Sequence, residues 1–289
     1  MFLSEIPKYI KCIKVYNFKK KKYTFNYLST SSKYIKKNSI LLINKKKFKK
    51  KYIEEAINKG AIAIITNYYF KDINLTQFLV KNVDHSLKKL LFIQNKFAPK
   101  NIVGITGTNG KTSVVWNINN IAHFSNRKIK TYGTLGFYKD SKKIRDSILT
   151  TPEYEILYQE AFSKTLREKS DFVFEVSSHA ISKKRIKDLP INIAAITNIS
   201  QDHLDFHKNI KNYKKTKFKL FLNHLQNNGI AILNENIKGI NNLKKRIKNK
   251  NIKVISYGNS KSDINVKNNK KNTEIKIFGK KYKLNLLNY

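Results

Sequence analysis

Residues 102–113, Ile-Val-Gly-Ile-Thr-Gly-Thr-Asn-Gly-Lys-Thr-Ser, admit few folds, because an apolar run passes directly into glycines, one lysine and a hydroxyl. The run Ile102–Ile105 predicts a buried strand. The glycines let backbone N–H groups approach a phosphate, Lys111 reaches its outer oxygens, and Thr112 is placed to ligate Mg²⁺. Val114, Val115, Ile118, Ile121 and Ala122 then follow at helical spacing. The spacing departs from the standard phosphate loop: Ile105 stands where that pattern has its first glycine, and Gly104 comes one residue too early. A plain glycine turn explains less, since Gly107, Gly110, Lys111 and Thr112 gather at a single strand-to-helix junction.

At 289 residues the chain is long enough for two domains, and 40% apolar content fits globular cores. Lys8, Lys11 and Lys14 interrupt the apolar residues of the first eighteen positions, so neither a secretory signal nor a membrane span is expected there. The lone Cys12 cannot form an intrachain disulfide, and a cytoplasmic location is the expectation. A net charge of +40 invites a nucleic-acid reading. Against it, only five of the 59 basic residues are arginine, and Asn, Ile, Tyr and Phe are abundant with the lysines. A/T-rich coding explains that composition better than selection for phosphate forks or base readout, which favours arginine. No specific nucleic-acid partner and no membrane partner are expected.

Up to about Asn95, strand-like runs at Ser39–Ile43 and Ala61–Thr66 flank a helical stretch, Tyr52–Lys59, that ends at Gly60. This reads as a small α/β domain over residues 1–97, with lysine runs 19–22 and 45–51 as solvated loops. Ala98-Pro99-Lys100 marks the boundary to a second domain, 98–289. There, apolar runs alternate with helix-period stretches: Ile102–Thr106, a helix, Thr131–Gly133, a helix over Glu153–Arg167, Asp171–Val176, Ile193–Ile199, a helix over Tyr213–His224, and Ile230–Leu233. Such alternation predicts a mostly parallel sheet flanked by helices, with ligands at the carboxyl ends of its strands. Beyond it, a helix over Asn236–Asn251 precedes runs at Val254–Tyr257, Ile264–Val266, Glu274–Phe278 and Tyr282–Leu287, which read as a small sheet.

Three segments after those strands carry chemistry. Glu175-Val176-Ser177-Ser178-His179 places a carboxylate at a strand end facing the phosphate loop, suited to Mg²⁺, while Ser177 or Ser178 also suits a helix cap. In Asp202-His203-Leu204-Asp205-Phe206-His207 two histidines stand four apart, but Leu204 occupies the place where a zinc-protease motif needs Glu. Thr150-Thr151-Pro152 opens a helix; two hydroxyls there suit an anionic substrate group, although simple capping accounts for them as well.

Taken in this order, the segments resemble the Mur ligase family, and within it the branch that adds the third peptide residue to UDP-N-acetylmuramoyl-L-alanyl-D-glutamate. The matching motifs are Gly107–Thr112, Thr150–Pro152, Glu175–Ala180, and Asp202–His207 followed by Tyr213–Lys217. The resemblance implies that Gly107, Thr108, Asn109, Gly110, Lys111, Thr112 and Ser113 bind ATP. It implies that Thr112, Glu175 and His203 hold Mg²⁺, with Lys217 joining them once carbamylated, and that Lys111, His203 and Lys217 serve catalysis. Ser32, Thr150, Thr151, Ser177, Lys183 and Arg185 would contact the UDP-N-acetylmuramoyl-dipeptide, and a diamino acid would be the second substrate. The chemistry implied is amide formation through an acyl phosphate.

This chain departs from the family in three places. Ser31-Ser32-Lys33 replaces an Asp-Ser-Arg motif of the uridine site, Asn38-Ser39 replaces Gly-Asp, and Lys183 stands where glutamine is usual. Against the family's full length, the C-terminal ligase domain is expected to be missing, which leaves three explanations open: the sequence is a fragment, the gene is eroded, or a separate polypeptide supplies the rest; the alternative to a working ligase is an inactive remnant that binds nucleotide or polyanions.

The excess of lysine should also weaken folding through self-repulsion, which salt screens. Raising NaCl from about 20 mM to about 300 mM is expected to lift the melting temperature by several degrees in a thermal-shift assay; an unchanged or lower value would show that the charges are already compensated.

Overall fold

A computed structural model of the protein describes residues 1–18, 23–47, 49–94, 97–163, 170–268 and 272–285. The lysine run 19–22, position 48 of the run 45–51, the end at Arg167 of the expected helix and the end at Leu287 of the last expected strand lie outside the described residues. Two compact units emerge: Met1–Ala98 with Glu153–Leu166, and Pro99–Pro152 with Arg167–Tyr289.

The first unit is built on strands β1 (Cys12–Tyr16), β2 (Tyr27–Ser29), β3 (Ser39–Ile43), β4 (Ala61–Thr66) and β5 (Thr76–Val80), in the order β1-β5-β4-β3-β2. All neighbours are parallel except β1, which runs antiparallel to β5. Helices α1 (Ile6–Tyr9), α2 (Lys50–Asn58) and α3 (Val83–Gln94) accompany them. Every residue of β3 is buried, as a parallel strand covered on both faces requires, so its sequence is a continuous apolar run after Ser39. On one face Leu41, Ile43 and Ile64 pack with Ile53 and Ala56 of α2 and with Phe70 and Ile73. Gly60 takes φ +96° just past α2, a left-handed position where a side chain would meet the Lys37 backbone at 2.9 Å.

In the chain order of the remainder come β6 (Ile102–Thr106), α4 (Lys111–Phe124), β7 (Ile129–Gly133), β8 (Gly136–Lys139), β9 (Lys142–Arg145), α5 (Tyr154–Phe162), β10 (Asp171–Glu175) and α6 (Ser178–Ser182). They are followed by β11 (Ile191–Ile196), α7 (Leu204–His207), α8 (Ile210–Lys219), β12 (Leu225–Asn234), α9 (Ile240–Ile247), β13 (Lys253–Tyr257), β14 (Ile264–Asn268), β15 (Asn272–Ile277) and β16 (Lys280–Asn285). Among the described residues the second unit forms one sheet, β16-β15-β14-β13-β12-β11-β6-β10-β7-β8-β9. From β7 to β14 the neighbours are parallel; hairpins close both ends. Strand β6 lies between β10 and β11, where the strand order reverses, so the loops after these three strands open on one edge. Beneath them Ile105, Val115, Ala122, Ile129 and Val173 form a shared apolar core.

Three expectations need correction. The helix expected over Glu153–Arg167 as part of the second domain is α5, and it folds with the first unit instead. Its residues Glu155–Ala161 are buried all round, so one sheet face is not enough for it; it also covers the edge of β2, where Gln159 bonds the Leu28 backbone. The last strands do not form a separate small sheet, because β13 pairs with β12 over five residues and β14–β16 continue the row. The helix expected to fill Asn236–Asn251 begins only after Gly239 at φ +85°; it is α-helical over Ile240–Ile247 and continues as a 3-10 turn over Lys248–Lys250.

Phe174 is fully buried on β10 and stacks on Phe172 at 5.5 Å between ring centroids. Phe174→Ala leaves a cavity that β6 and β7 cannot close, and is expected to cost about 3–5 kcal/mol of stability in guanidinium unfolding; a cost below about 1 kcal/mol would contradict this packing.

Candidate functional site

The loop that follows β6 is held before any ligand arrives. Gly107 takes φ +148°, and a Cβ there would lie 1.8 Å from the Thr197 hydroxyl oxygen; only glycine fits. Asn109 N–H donates to Asn198 Oδ1 at 3.0 Å, while Asn198 Nδ2 and the Thr197 hydroxyl donate to Asn109 O at 3.1 and 2.6 Å. Thr108 N–H donates to Asn198 O at 3.0 Å, and Thr108 Oγ1 accepts from Ser200 N–H at 3.0 Å and from the Tyr213 hydroxyl at 3.3 Å. Strand β11, expected to run to Ile199, therefore stops at Ile196, because Thr197 and Asn198 turn to the loop. Gly110, at φ +83°, precedes Lys111 at the start of α4. Ser113 lies exposed in the first turn of that helix.

Lys111 Nζ donates to Gly107 O at 2.9 Å and to Thr108 O at 2.7 Å, which leaves one ammonium donor for an incoming anion. Burial lowers its pKa from the usual ammonium value, opposed by the charges of Glu175 and Asp202. Glu175, at the end of β10 and 1% exposed, is not the unpaired carboxylate that its place in an apolar strand suggests. Its Oε2 accepts from Thr112 Oγ1 at 3.0 Å and its Oε1 from Thr134 N–H at 2.7 Å. Gly133 makes room for it, since a Cβ there would lie 2.2 Å from Oε1. One carboxylate beside one hydroxyl is the hard-oxygen donor pair that Mg²⁺ takes from a protein when phosphate and water complete its shell. Among the described residues no cluster of three or more His, Cys, Asp or Glu could hold a metal by itself.

Lys217, on α8, is 1% exposed and donates to the same Gly107 carbonyl at 2.7 Å, with its amine 4.5 Å from the Tyr213 ring centroid. Two ammonium groups on one carbonyl oxygen repel, and burial adds to the cost of charge. Burial first, then the Lys111 charge, lowers the Lys217 pKa to about 7, with Asp202 opposing. The structure thus joins Lys111, Thr112, Glu175 and Lys217 around one loop. His203, at the N-terminus of α7 with φ +50°, neighbours the cluster through Tyr213, 6.4 Å away between ring centroids; its Nε2 lies 3.4 Å from Asp202 Oδ2, and its ring meets His179 edge-on at 4.8 Å.

The Thr150–Pro152 segment is fastened to β10. Buried Thr151 donates from Oγ1 to Glu175 O at 2.8 Å and accepts from Ser177 N–H at 2.9 Å, and Arg185 donates to Thr151 O at 3.1 Å. Thr150 and Thr134 share a hydroxyl contact at 3.2 Å. Ser177 caps α6 through its hydroxyl, accepting from Ala180 N–H at 3.2 Å, and exposed Lys183 ends that helix. In the first unit Ser32 donates to Glu55 Oε2 at 2.7 Å beside a pocket of about 300 Å³ lined by Thr30, Ser31, Ser32, Lys33, Asn44 and Tyr52 among others.

Residues 105–287 match the family description "Mur ligase middle domain". The chain belongs to the Mur ligase family. It is 38% identical over 219 residues to the UDP-N-acetylmuramoyl-L-alanyl-D-glutamate–2,6-diaminopimelate ligase of Rickettsia montanensis, covering 74% of this chain and 45% of that one. To the ligase of the same name from Rickettsia typhi it is 34% identical over 251 residues, covering 85% and 51%. In fold it is similar to the MurF ligase of Thermotoga maritima in complex with ADP, at TM-score 0.63 and 20% identity, covering 92% of this chain and 59% of that one. The chain thus spans about half the length of these curated relatives.

Within this Mur ligase site, sequence reasoning assigned no role to Asp202, Thr134, Thr197 or Asn198. Asp202 had a signal, its place in the Asp-His-Leu-Asp motif; Thr134 had only its position between Gly133 and Gly136.

A lysine whose folded-state pKa is depressed binds its proton in the unfolded chain over the interval between the two values, so stability rises with pH from about 7 to the ordinary lysine value of 10.5. Lys217→Met is expected to reduce that rise in urea titrations at a series of pH values, leaving the part that Lys111 contributes. An identical slope in the variant would show that Lys217 is charged when folded.

Proposed function

We propose that this chain carries the nucleotide- and acceptor-binding part of an ADP-forming ligase of peptidoglycan precursors. The observation that carries the reading is the pre-formed loop Gly107–Ser113 with Lys111, Thr112 and Glu175 at its rim. ATP binds with its phosphates on that loop, and the acceptor is UDP-N-acetylmuramoyl-L-alanyl-D-glutamate, as the names of the relatives indicate. An oxygen of the acceptor carboxylate attacks the γ-phosphorus, the bond to the bridging oxygen breaks, and ADP leaves an acyl phosphate. The amine of 2,6-diaminopimelate then adds to the acyl carbon; the tetrahedral adduct expels phosphate and loses a proton to give the amide.

Lys111 neutralises charge on the transferring group through its remaining donor. Thr112 and Glu175 would hold Mg²⁺, with His203 and a carbamylated Lys217 contributing, and the ion would supply charge neutralisation at the phosphates. A pKa of about 7 leaves a substantial share of Lys217 as the neutral amine at neutral pH, the form that attacks CO₂ and releases a proton as the carbamate forms. Thr150, Thr151, Ser177, Lys183 and Arg185 face the muramoyl-dipeptide, and the pocket beside Ser32 takes the uridine end. The lone Cys12 fits a reducing compartment, and we place the reaction in the cytoplasm.

ATP binding by the purified chain with Mg²⁺ is expected to persist at 300 mM NaCl and to weaken at least about tenfold in Lys111→Ala. ADP release is expected to require the muramoyl-dipeptide and diaminopimelate and to vanish in the same variant. Binding that disappears with salt and ignores Lys111 would mark a polyanion site instead. Specific ATP binding without any substrate-dependent ADP release would overturn catalysis by this chain alone.

A further inference from the structure

Strand β2 is the edge of the first unit's sheet, and its outward backbone groups have no neighbouring strand among the described residues. Helix α5 supplies side chains in place of one. Gln159 Oε1 accepts from Leu28 N–H at 2.8 Å and its Nε2 donates to Leu28 O at 2.8 Å, the pair of bonds a facing strand residue would exchange. One helical turn away, Glu155 Oε1 accepts from Thr30 N–H and from the Thr30 hydroxyl, each at 2.8 Å. The spacing matches: residues four apart share a helix face about 6 Å apart, and strand residues two apart project the same way at about 6.6 Å. Both side chains are nearly inaccessible, Glu155 at 2% and Gln159 at 4%. Nε2 of Gln159 also donates to Glu155 O at 2.9 Å, which fixes the orientation of the amide.

A buried carboxylate is a costly way to satisfy one backbone amide. An apolar side chain at 155 would leave the Thr30 N–H and hydroxyl without this acceptor. What the carboxylate adds is an acceptor strong enough for two donors of Thr30, the residue where β2 turns into the pocket-lining segment Thr30–Lys33. The next residue continues the arrangement, because the Ser29 hydroxyl donates to Ser31 O at 2.8 Å and accepts from Ser31 N–H at 3.1 Å.

We propose that Glu155, with Gln159, is a positioning residue of the acceptor site: it anchors Thr30 and thereby sets the Thr30–Lys33 wall that receives the uridine end of the muramoyl-dipeptide. The proposal rests on the reading of that pocket given above. It assigns Glu155 no contact with substrate, so the effect belongs in acceptor affinity and not in ATP affinity.

The test is calorimetric titration of UDP-N-acetylmuramoyl-L-alanyl-D-glutamate, and separately of ATP with Mg²⁺, into wild type, Glu155→Ala, Glu155→Gln and Gln159→Glu, with amide hydrogen exchange read at Leu28 and Thr30. Glu155→Ala is expected to weaken acceptor binding about tenfold, leave ATP binding within about twofold, and speed exchange at Thr30. Glu155→Gln keeps an acceptor for Thr30 and is expected to restore binding to within about threefold of wild type. Gln159→Glu sets a carboxylate against Leu28 O and is expected to weaken acceptor binding as Glu155→Ala does, which keeps the test available should that variant fail to fold. Unaltered acceptor affinity with fast exchange at Thr30 overturns the proposal while leaving the pocket reading intact. Wild type that binds ATP but no acceptor, with Thr30 protected, overturns the pocket reading and the proposal with it.

Discussion

The site depends on one glycine. Gly107 closes β6 in a conformation that excludes a side chain, and its carbonyl oxygen receives both Lys111 and Lys217. Because β6 is bordered by β10 and β11, whatever sits on that carbonyl is also beside the ends of both neighbours. Glu175 arrives from one, Thr197 and Asn198 from the other, with no further adjustment of the backbone. The convergence therefore follows from strand order: two lysines, a hydroxyl and a carboxylate meet around this loop where the sheet changes direction.

Besides the two lysines, preorganisation here uses neutral groups. Thr197, Asn198, Ser200 and Tyr213 tie the loop down directly through hydroxyls, amides and backbone atoms. A loop fastened by carboxylates would repel phosphate; one fastened by hydroxyls and amides leaves the local field positive. The two acidic groups that act on Lys111, Glu175 and Asp202, pull its pKa back up against burial. Lys217, lowered to about 7, receives opposition from Asp202 alone.

Much of this was legible in the chain. Periodicity and turn chemistry located β3, β4, β6 and β10, and the residues at or after the ends of the last two, Lys111, Thr112 and Glu175, do come together. Those signals are local: an apolar run, a glycine with positive φ, a hydroxyl two residues on. The losses were non-local. Nothing in Tyr-Glu-Ile-Leu-Tyr-Gln-Glu says that α5 folds with residues far upstream, because burial on every side fixes how much of a helix is covered and not by what. Likewise β13 and β14 read as strands, but whether they extend a sheet or start another depends on the free edge of β12. The hairpin β8–β9 was missed for a related reason: its residues Lys142–Ile144 are exposed and carry no apolar alternation. Thr134 entered the site only because β7 ends beside Glu175.

The helix on the edge of β2 shows how such a non-local choice narrows the fold. An additional strand there would satisfy the same backbone groups but would pass the open edge on to itself, with the risk of pairing with another chain. A helix ends the sheet, since its own backbone bonds are internal and only its side chains reach out. The requirement on those side chains is strict: one amide that both donates and accepts opposite Leu28, and one acceptor opposite Thr30. Gln159 and Glu155 meet it in that order; exchanging them would set a carboxylate against the Leu28 carbonyl. Two residues that read in sequence as ordinary polar positions of an amphipathic helix are thus specified by the backbone of a strand more than a hundred residues earlier, and the pocket wall that begins at Thr30 inherits its position from them.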